Sequence, residues 1–544
     1  MLLKKSDIGG EIISILTRGM YLDPKDTLRE YVQNGVDAQA THISIKIRQD
    51  IVVVQDNGNG MDKETMRKSI RVGISDKNPD KNVGFMGIGI YSSFHLCDDL
   101  HIFSKTKNES PNHLHFNFKG MREKLAKQRE LRFSSPLSEN AIVALQDLLE
   151  ENIELTSLNN DEYPNTGTRV EISNLDPVFF NTLSKFSEVS NYLEQVVALP
   201  FNPSFSYGKE IQSYIRQVCQ DNNIYYSLVH LDLQVNDESS TLYRPYLDEH
   251  FDPSSLDPKF YTLKFNKEFF GIAWGCLNKS TKTIKNSKLR GFVIKKHGFT
   301  IGNRNDLIPY FGRQTFYNRY VGEVIVLNSQ LLPNASRSEF EYSPLRISFQ
   351  DCLRSMATFY NREANDYQET FKALEELDNA IIYLKERKAK FEFYLENSDE
   401  LLSTLWKTKE FVDSLNRRRK SSYFHNGNIK KAETVISQME DFSHIIREEI
   451  DNRKRKRKKP KTRTESEVAS DVENIPDTSD TNSKDEFENL AQVFDSLGLE
   501  INREMKLFID LIDENYIRYS SADSNDYLKK LSKLKNDFED LLEE

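Results

Sequence analysis

Three short motifs within the first 90 residues combine carboxylate, amide and glycine residues at spacings that could serve chemistry. The first is the set Glu30, Asn34 and Asp37, on a predicted helix that begins after Asp23 and Pro24. Their spacing of i, i+4 and i+7 places them on one helical face, and Pro is common in the first turn. A face of two carboxylates and an amide is also typical of a solvated surface. Alone, this motif leaves both interpretations open.

The second motif is a turn, Asp56-Asn57-Gly58-Asn59-Gly60-Met61, which directly follows a predicted strand at Ile51–Val54. A carboxylate at a strand end, followed by two glycines, lets the backbone approach a flat ligand closely. Turns of the Asp-Asn-Gly kind are also common where no ligand binds. This motif therefore indicates a tight turn and a candidate binding site.

The third motif is a glycine-rich segment, Gly84-Phe85-Met86-Gly87-Ile88-Gly89, which precedes a predicted helix at Ile90–Leu96. Such a loop presents free N–H groups and the positive end of a helix dipole to phosphates. It lacks the Gly-Lys-Ser/Thr of a Walker A loop, and its glycine spacing differs from the dinucleotide-binding fingerprint. Close packing of a helix on a strand is the structural alternative.

Short β-branched runs alternate with helical segments around these motifs, so we predict an α+β fold for residues 1–205. The predicted helices are Pro24–Ala40, Lys63–Val72 and Ala141–Glu151, and the predicted strands are Ile43–Ile47, Ile51–Val54, His101–Ser104, Leu114–Phe118 and Thr168–Ile172.

The rest of the chain divides by composition into four further parts. Residues 206–348 read as a second α+β domain, with a β-hairpin predicted at Gly291–Ile301. Residues 349–452 are helical, and an apolar stripe from Leu374 to Leu395 predicts a long helix that pairs with another, within the chain or across a dimer. Residues 453–485, a basic run and then an acidic one, predict a disordered linker, and residues 486–544 a small helical segment.

Composition narrows the class of protein. The 544 residues, enough for about three domains, carry a net charge of −10, which argues against a chain that coats nucleic acid along its length. The four cysteines are far apart and form no CxxC pair, so we expect a reducing, cytoplasmic environment. The sequence starts without an apolar signal segment and has no run of about 18 apolar residues, so we expect no membrane association.

The order of the three motifs resembles the conserved boxes of the GHKL ATPases, a superfamily that includes DNA gyrase, heat-shock protein 90, histidine kinases, MutL and MORC proteins. The string Thr166-Gly167-Thr168-Arg169-Val170 resembles the family's last box. The resemblance implies a Bergerat-type ATP-binding α/β sandwich at residues 1–205, an α+β transducer-like middle domain, and a helical or coiled-coil C-terminal region. It also implies ATP and Mg²⁺ as cofactors and ATP hydrolysis as the activity. Histidine kinases fit poorly because they carry the ATP domain last and lack the position of Glu30.

The resemblance assigns a role to each matching residue. Glu30 would act as the general base for the attacking water, and Asn34 would hold Mg²⁺. Asp56 would accept a hydrogen bond from the adenine amino group, Gly60 would let the base approach, and Thr168 would hold it through a hydroxyl and water. The phosphates would lie against Gly84, Gly87 and Gly89, under a mobile lid between Met61 and Gly84. The other residues assigned to ATP binding are Asp37, Gly58, Met61, Phe85 and Ile88.

A second region would supply a cation to the γ-phosphate. The string Leu331-Leu332-Pro333-Asn334-Ala335-Ser336-Arg337-Ser338-Glu339 resembles the middle-domain loop of heat-shock protein 90, and Arg337 falls on its catalytic arginine. A guanidinium is always charged and offers a planar fork to phosphate. The alternatives are a surface ion pair for Arg337, or a different cation, with Lys295, Lys296 and Arg304 as the rivals.

Two functions remain open from the sequence. One is a heat-shock-protein-90-like clamp, a homodimer whose N-terminal domains pair on ATP and act on a protein client or effector. The other is a MORC- or MutL-like ATPase that binds DNA through the basic run Arg453–Arg463.

Overall fold

The computed structural model describes residues 4–78, 82, 84, 86–134, 142–163, 165–252, 254–394, 398–418 and 426–457. Contacts divide the chain into two units, 1–458 and 459–544, and the described residues all belong to the first. Phe85, the linker beyond Arg457 and the segment 486–544 lie outside the described residues.

Helices and strands are mixed through the first 330 residues, and in the described residues that follow the regular elements are helices. The helices are α1 (Glu11–Met20), α2 (Lys25–Asp37), α3 (Lys63–Ser69), α4 (Phe118–Ser134), α5 (Leu145–Glu150), α6 (Pro177–Leu183), α7 (Phe186–Val196), α8 (Gly208–Asp221), α9 (Ile308–Phe311), α10 (Gln314–Tyr317), α11 (Pro344–Ala389), α12 (Phe391–Tyr394), α13 (Ser398–Arg418) and α14 (Asn426–Arg457). The strands are β1 (His42–Arg48), β2 (Ile51–Asp56), β3 (Cys97–Lys105), β4 (Asn112–Asn117), β5 (Ile153–Ser157), β6 (Gly167–Leu175), β7 (His230–Val235), β8 (Glu238–Leu242), β9 (Lys259–Phe265), β10 (Glu268–Leu277), β11 (Gly291–Lys296), β12 (Phe299–Ile301) and β13 (Tyr320–Val326).

The first sheet has eight strands in the order β5-β4-β3-β6-β2-β1-β7-β8. All its pairings are antiparallel except that of β1 with β7, which is parallel. Side chains along each strand point alternately to the two faces of the sheet, and one face packs on helices to form the larger core. The ends of β2 and β6 carry Asp56 and Gly167, so the sheet brings two of the motifs together.

The strands β7 and β8 do not follow the predicted domain division. Sequence composition assigned them to the second domain, but β7 pairs with β1 along its whole length, from His42 opposite His230 to Ile47 opposite Val235. Leu231 and Leu233 are fully buried in the first core. The sheet therefore continues past residue 205, because these strands bury their apolar side chains against the N-terminal helices.

Helix α2 carries the first motif and is shorter than predicted. Its start is stabilised by Asp23, whose carboxylate accepts a hydrogen bond from the backbone N of Lys25 at 2.9 Å. Its end is set by Gln39, which adopts a positive φ of 62°, and by a bond from Ala40 N to Gly35 O. This is the usual left-handed termination of a helix. The apolar residues of α2 are buried, which directs the opposite, polar face toward the cleft described below.

The second sheet has five strands in the order β12-β11-β13-β10-β9 and includes the predicted hairpin at Gly291–Ile301. The first part of α11 packs on it through Phe349, Met356 and Tyr360. Further along, α11 packs against α13 and α14 of the same chain, with Leu377 and Leu384 in the shared core. The described part of the predicted apolar stripe thus packs within the chain, and Leu395 lies outside the described residues.

The α+β prediction is confirmed for the chain as a whole. The basic run, predicted to begin a linker at Arg453, starts instead within α14, which continues to Arg457. No helix in the described ranges is long and apolar enough to cross a bilayer.

Candidate functional site

A cleft of about 510 Å³ lies over the polar face of α2 and the ends of β2 and β6. Three further segments complete it, namely residues 74–77, the glycine-rich segment, and the loop that contains Arg337. All three motifs and the loop from beyond the second sheet therefore meet at one place. The cleft has two chemically different ends.

One end is built around Asp56, whose carboxylate is anchored to backbone. Its Oδ1 accepts hydrogen bonds from Gly58 N at 2.8 Å and from Thr168 N at 3.3 Å. Burial is the largest influence on this carboxyl group and raises its pKa, although the two N–H groups act in the opposite direction. Because both bonds go to the same oxygen, the carboxylate keeps acceptor capacity on Oδ2 for a ligand.

Two glycines make this arrangement possible. Gly60 has a φ of +67°, and a Cβ there would lie 2.1 Å from the carbonyl oxygen of Lys105. Gly167 has a φ of +121°, and a Cβ there would lie 2.2 Å from the carbonyl oxygen of Asp56. Both positions therefore exclude any other residue, on steric grounds and on conformational grounds.

Ser104 of β3 joins the parts of this end and was missed by sequence reasoning. Its hydroxyl lies 2.9 Å from Thr168 Oγ1 and accepts a hydrogen bond from Met61 N at 2.8 Å. The sequence signal that could have identified Ser104 is its spacing in the strand, since Leu100, Ile102 and Ser104 are every second residue and share the buried face. A polar residue there requires a partner.

The other end is built around Asn34 and Asp37, which share a cation. Lys77 Nζ donates to Asn34 Oδ1 at 2.9 Å and to Asp37 Oδ2 at 2.8 Å. Gly84 N also donates to Asp37 Oδ2, at 3.0 Å. An amide oxygen and a carboxylate oxygen are ligand types that Mg²⁺ prefers, and here they already bind an ammonium group. The residues at this end therefore fit the metal that the motif implies.

Glu30 lies beside this pair and binds Arg337. Both the Nε and an Nη of Arg337 lie 3.0 Å from Glu30 Oε1, and the two side chains are only 10% and 12% exposed. Arg337 itself has a positive φ of 56° and is held by backbone bonds to Asn334 and Gly302. A Cβ at Gly89 would lie 2.7 Å from Glu30 Oε2, so this glycine makes room for the carboxylate.

Sequence comparisons agree with this geometry. Residues 22–149 match the family described as histidine kinase-, DNA gyrase B- and HSP90-like ATPases. The chain carries a GHKL-type ATPase domain. The matched span includes Glu30, Asn34, Asp56 and Gly84, and it ends before Thr168.

Three curated proteins resemble parts of the chain. A putative type II restriction enzyme, HgiDII of Herpetosiphon aurantiacus, is 34% identical over 113 residues, which is 18% of this chain and 18% of that protein. The mismatch repair protein MutL of Ehrlichia chaffeensis is 36% identical over 78 residues, 13% of this chain and 12% of MutL. The chaperone HtpG of Orientia tsutsugamushi is 23% identical over 134 residues, 19% of this chain and 21% of HtpG. The similarity thus spans only a small part of each relative.

The rival cations to Arg337 are engaged away from the GHKL cleft. Lys295 Nζ donates to the carbonyl oxygens of Gln195 and Gly298, at 3.0 and 3.3 Å, and burial lowers its pKa to about 7. Lys296 donates to three carbonyl oxygens after β13, and Arg304 to Gly291 O and Tyr246. Of these four cations, Arg337 alone lines the cleft.

The glycine-rich segment of the GHKL domain differs in detail from the prediction. The expected helix at Ile90–Leu96 is instead a 3₁₀ turn at Gly89–Tyr91 followed by further turns, because its backbone bonds run from i to i−3. Ile88 is buried at the wall of the cleft. Gly87 has a φ of +67° and accepts a hydrogen bond from Gly73 N through its carbonyl, which ties this segment to residues 73–74.

Arg29 links the GHKL domain to the second sheet and was also missed by sequence reasoning. It is buried, precedes Glu30 in α2, and donates through Nη2 to the carbonyl oxygen of Thr300 in β12. Burial lowers its pKa from the ordinary value of an arginine. Nothing in the sequence distinguishes this arginine from a solvated one, since its partner lies far along the chain.

Proposed function

We propose that this protein is an ATP-hydrolysing, heat-shock-protein-90-like clamp whose N-terminal domains pair on ATP and act on a protein client or effector. The observation that carries the proposal is the ion pair between Glu30 and Arg337 inside the cleft. A cation from a loop beyond the second sheet thereby reaches the carboxylate that would activate water. Hydrolysis would depend on both regions being correctly placed.

The proposed chemistry follows from a change of ion-pair partners among these residues when ATP binds. Bound Mg²⁺ would supply positive charge to the phosphate oxygens, held by Asn34 and Asp37 after Lys77 has moved aside. The guanidinium group of Arg337 would leave Glu30 and bind the γ-phosphate, where it would stabilise the charge of the transition state. Glu30, no longer paired, could then orient a water and accept its proton.

A surface suited to N-terminal pairing lies on helix α1. Ile12 and Ile15 are exposed on α1, Ile15 to 68%, and Ile8 and Leu22 on either side of it are also exposed. Burial of these exposed apolar side chains against a second copy would be favourable. Pairing through this surface would couple ATP binding to dimerisation.

The test of pairing uses light scattering on the full chain. The Glu30→Ala variant, which should bind ATP without hydrolysing it, is expected to shift from monomer mass to dimer mass when ATP and Mg²⁺ are added. Adding Ile15→Asp to that variant should abolish the shift and leave ATP binding intact. A mass that does not respond to ATP would reject the clamp.

A DNA-associated ATPase is the second candidate. It is favoured by the similarity to MutL and to a putative restriction enzyme, and by the cationic end of α14 at Arg453–Arg457. Clustered cations release counterions from DNA phosphates, so binding would weaken steeply as salt rises. In DNA retardation at two salt concentrations, the salt dependence should therefore become less steep when Arg453, Lys454 and Arg455 are replaced by Gln. Absence of binding by the unaltered protein would remove this candidate.

A further inference from the structure

The first sheet carries a cluster of histidine and acidic residues on the face that points away from its helices. On β3 and β4 the core face carries Leu100, Ile102, Leu114 and Phe116, and the opposite face carries Asp99, His101, His113 and His115, together with Phe103. Strand register places His101 directly opposite His115 and, on its other side, opposite Glu171 of β6. Two imidazoles therefore meet as a cross-strand pair flanked by carboxylates, on the sheet face opposite to Ile102 and Val170, which line the cleft.

Three of these side chains converge on one point. Asp99, His101 and His115 each offer a ligand atom, and these atoms lie within 4.8 Å of one another. His115 Nε2 is 2.9 Å from Asp99 Oδ1, and both residues are 27% exposed, so an ion could reach them from solvent. Ligands of a tetrahedral Zn²⁺ with bonds of about 2.0–2.2 Å lie about 3.3 Å apart. Rotation of the two imidazole rings out of their parallel stack would bring the ligand atoms to that spacing around one ion.

The converging residues are themselves oriented by neighbours. Asn174 Nδ2 donates to Asp99 Oδ2 at 3.0 Å, and His113 Nε2 lies 3.1 Å from His101 Nδ1. The rings of His101 and His115 are nearly parallel, with centroids 4.5 Å apart. Metal ligands typically have such partners on their second polar atom, which set their orientation and tautomer.

From this geometry we infer that Asp99, His101 and His115 form a binding site for a divalent transition metal of the Zn²⁺ class. Two imidazole nitrogens and one carboxylate oxygen favour Zn²⁺, Co²⁺ or Ni²⁺ over Mg²⁺ and Ca²⁺, which prefer oxygen. Three protein ligands leave a fourth position for water. The site is separate from the nucleotide cleft and independent of the proposed clamp.

The test is calorimetric titration of the full chain, freed of metal by chelation, with Zn²⁺ and without nucleotide. A stacked histidine ladder without a metal is the alternative that the experiment must exclude. We expect one site in the unaltered protein, weakened at least about 100-fold in His115→Ala or His101→Ala and about 10- to 100-fold in His113→Ala. His115 is partly exposed and glutamine is similar to histidine in size, so His115→Gln should fold normally. Weakened Zn²⁺ binding in this variant would therefore not be caused by misfolding. Co²⁺ should give a visible d–d spectrum without a thiolate band, because the four cysteine thiols are buried away from this face.

The matched control is His42→Ala. His42 forms an ion pair with Asp232 at 3.2 Å in the same sheet, a His–Asp pair like that of His115 and Asp99. Within the described residues it does not belong to a group that could hold a metal. Zn²⁺ binding should survive this substitution unchanged. The inference is overturned if the unaltered chain binds no Zn²⁺, if His101→Ala and His115→Ala bind as it does, or if His42→Ala weakens binding equally.

Discussion

The two ends of the cleft are held together in different ways. Under the proposed function, the end around Asp56 would bind the base of ATP and is called the base end, and the end around Asn34 and Asp37 would bind the phosphates and is called the phosphate end. At the base end, Asp56 and Ser104 bond to backbone N–H groups and to Thr168, all on strands or on the turn after β2. At the phosphate end, side-chain ion pairs predominate, and both cations come from other parts of the chain, Lys77 from the lid segment and Arg337 from beyond the second sheet. The base end is anchored, whereas the phosphate end depends on partners that can be exchanged.

The difference suggests a division of labour. Backbone-anchored groups lose little freedom when a ligand binds, so the base end should supply affinity and discrimination. An incoming triphosphate can replace one partner in each of these ion pairs. The phosphate end should therefore control turnover. Substitutions at the phosphate end should therefore change mainly the rate of turnover, and substitutions at the base end mainly the affinity for ATP.

The largest effect is expected from Glu30→Ala at the phosphate end. Loss of a general base should lower steady-state phosphate release by about 100- to 10,000-fold, while the calorimetric affinity for ATP stays within a few fold. Glu30→Gln, which keeps the shape of the side chain, should be impaired nearly as much. Equal loss of rate and affinity would show that the two ends are not separable.

Arg337→Ala should come next. Removing one preorganised charged donor typically costs about 100- to 1,000-fold in turnover, and ATP binding should change little because the base end is untouched. Arg337→Lys keeps the charge without the planar fork and should restore part of the rate. The matched control is Lys295→Met, in the same region but outside the cleft. If Lys295→Met abolishes turnover and Arg337→Ala does not, the catalytic assignment of Arg337 is wrong.

The base end is also the end that sequence predicts better. Asp56, Gly60 and Thr168 lie in short motifs whose strand and turn context is local, so their meeting follows once β2 and β6 pair. The phosphate end depends on long-range contacts. The motifs indicate Glu30 and Asn34, but the position of Lys77 between Asn34 and Asp37 depends on the fold of the lid segment, which sequence periodicity does not describe.

The same limit applies to the fold. All five predicted strands of the first sheet were found, with ends shifted by up to four residues, because alternation of apolar residues is a local signal. Strand β5 was not predicted. The membership of β7 and β8 in that sheet was missed, since parallel pairing with β1 links segments nearly 200 residues apart and leaves no mark in either. Arg29 illustrates the same point at the level of side chains, because its partner Thr300 lies far along the chain. Arg337 was indicated only by the resemblance of its loop to a family motif.

Asp56→Asn tests the base end directly. The amide oxygen can keep the bonds from Gly58 and Thr168, but the amide NH₂ would face the amino group of adenine, donor against donor. We expect about 10- to 100-fold weaker ATP binding, as for loss of a charged hydrogen bond, with turnover at saturating ATP nearly unchanged. A mainly catalytic defect would contradict the division of labour.

Acid should reproduce the defect of Asp56→Asn in the unaltered protein. Burial raises the pKa of Asp56, so this carboxyl takes up a proton at a higher pH than an exposed one. The ionised form accepts the adenine amino group, so affinity should be full well above the raised pKa and fall as the pH drops through it. Calorimetric titrations across acidic pH should show this loss in the unaltered protein and a flatter profile in Asp56→Asn.

The smallest effect is expected from Lys77→Met, which removes the cation between Asn34 and Asp37. Lys77 is 35% exposed and Asp37 only 2%, so solvent reaches the ammonium side of this ion pair and weakens it. If the lysine competes with Mg²⁺, the Mg²⁺ concentration needed for half-maximal ATP turnover should fall by about two- to fivefold. Lys68→Met, on the rim of the same cleft, should leave it unchanged. A higher Mg²⁺ requirement in Lys77→Met would mean instead that Lys77 binds the phosphates, and the phosphate end would then be anchored rather than exchangeable.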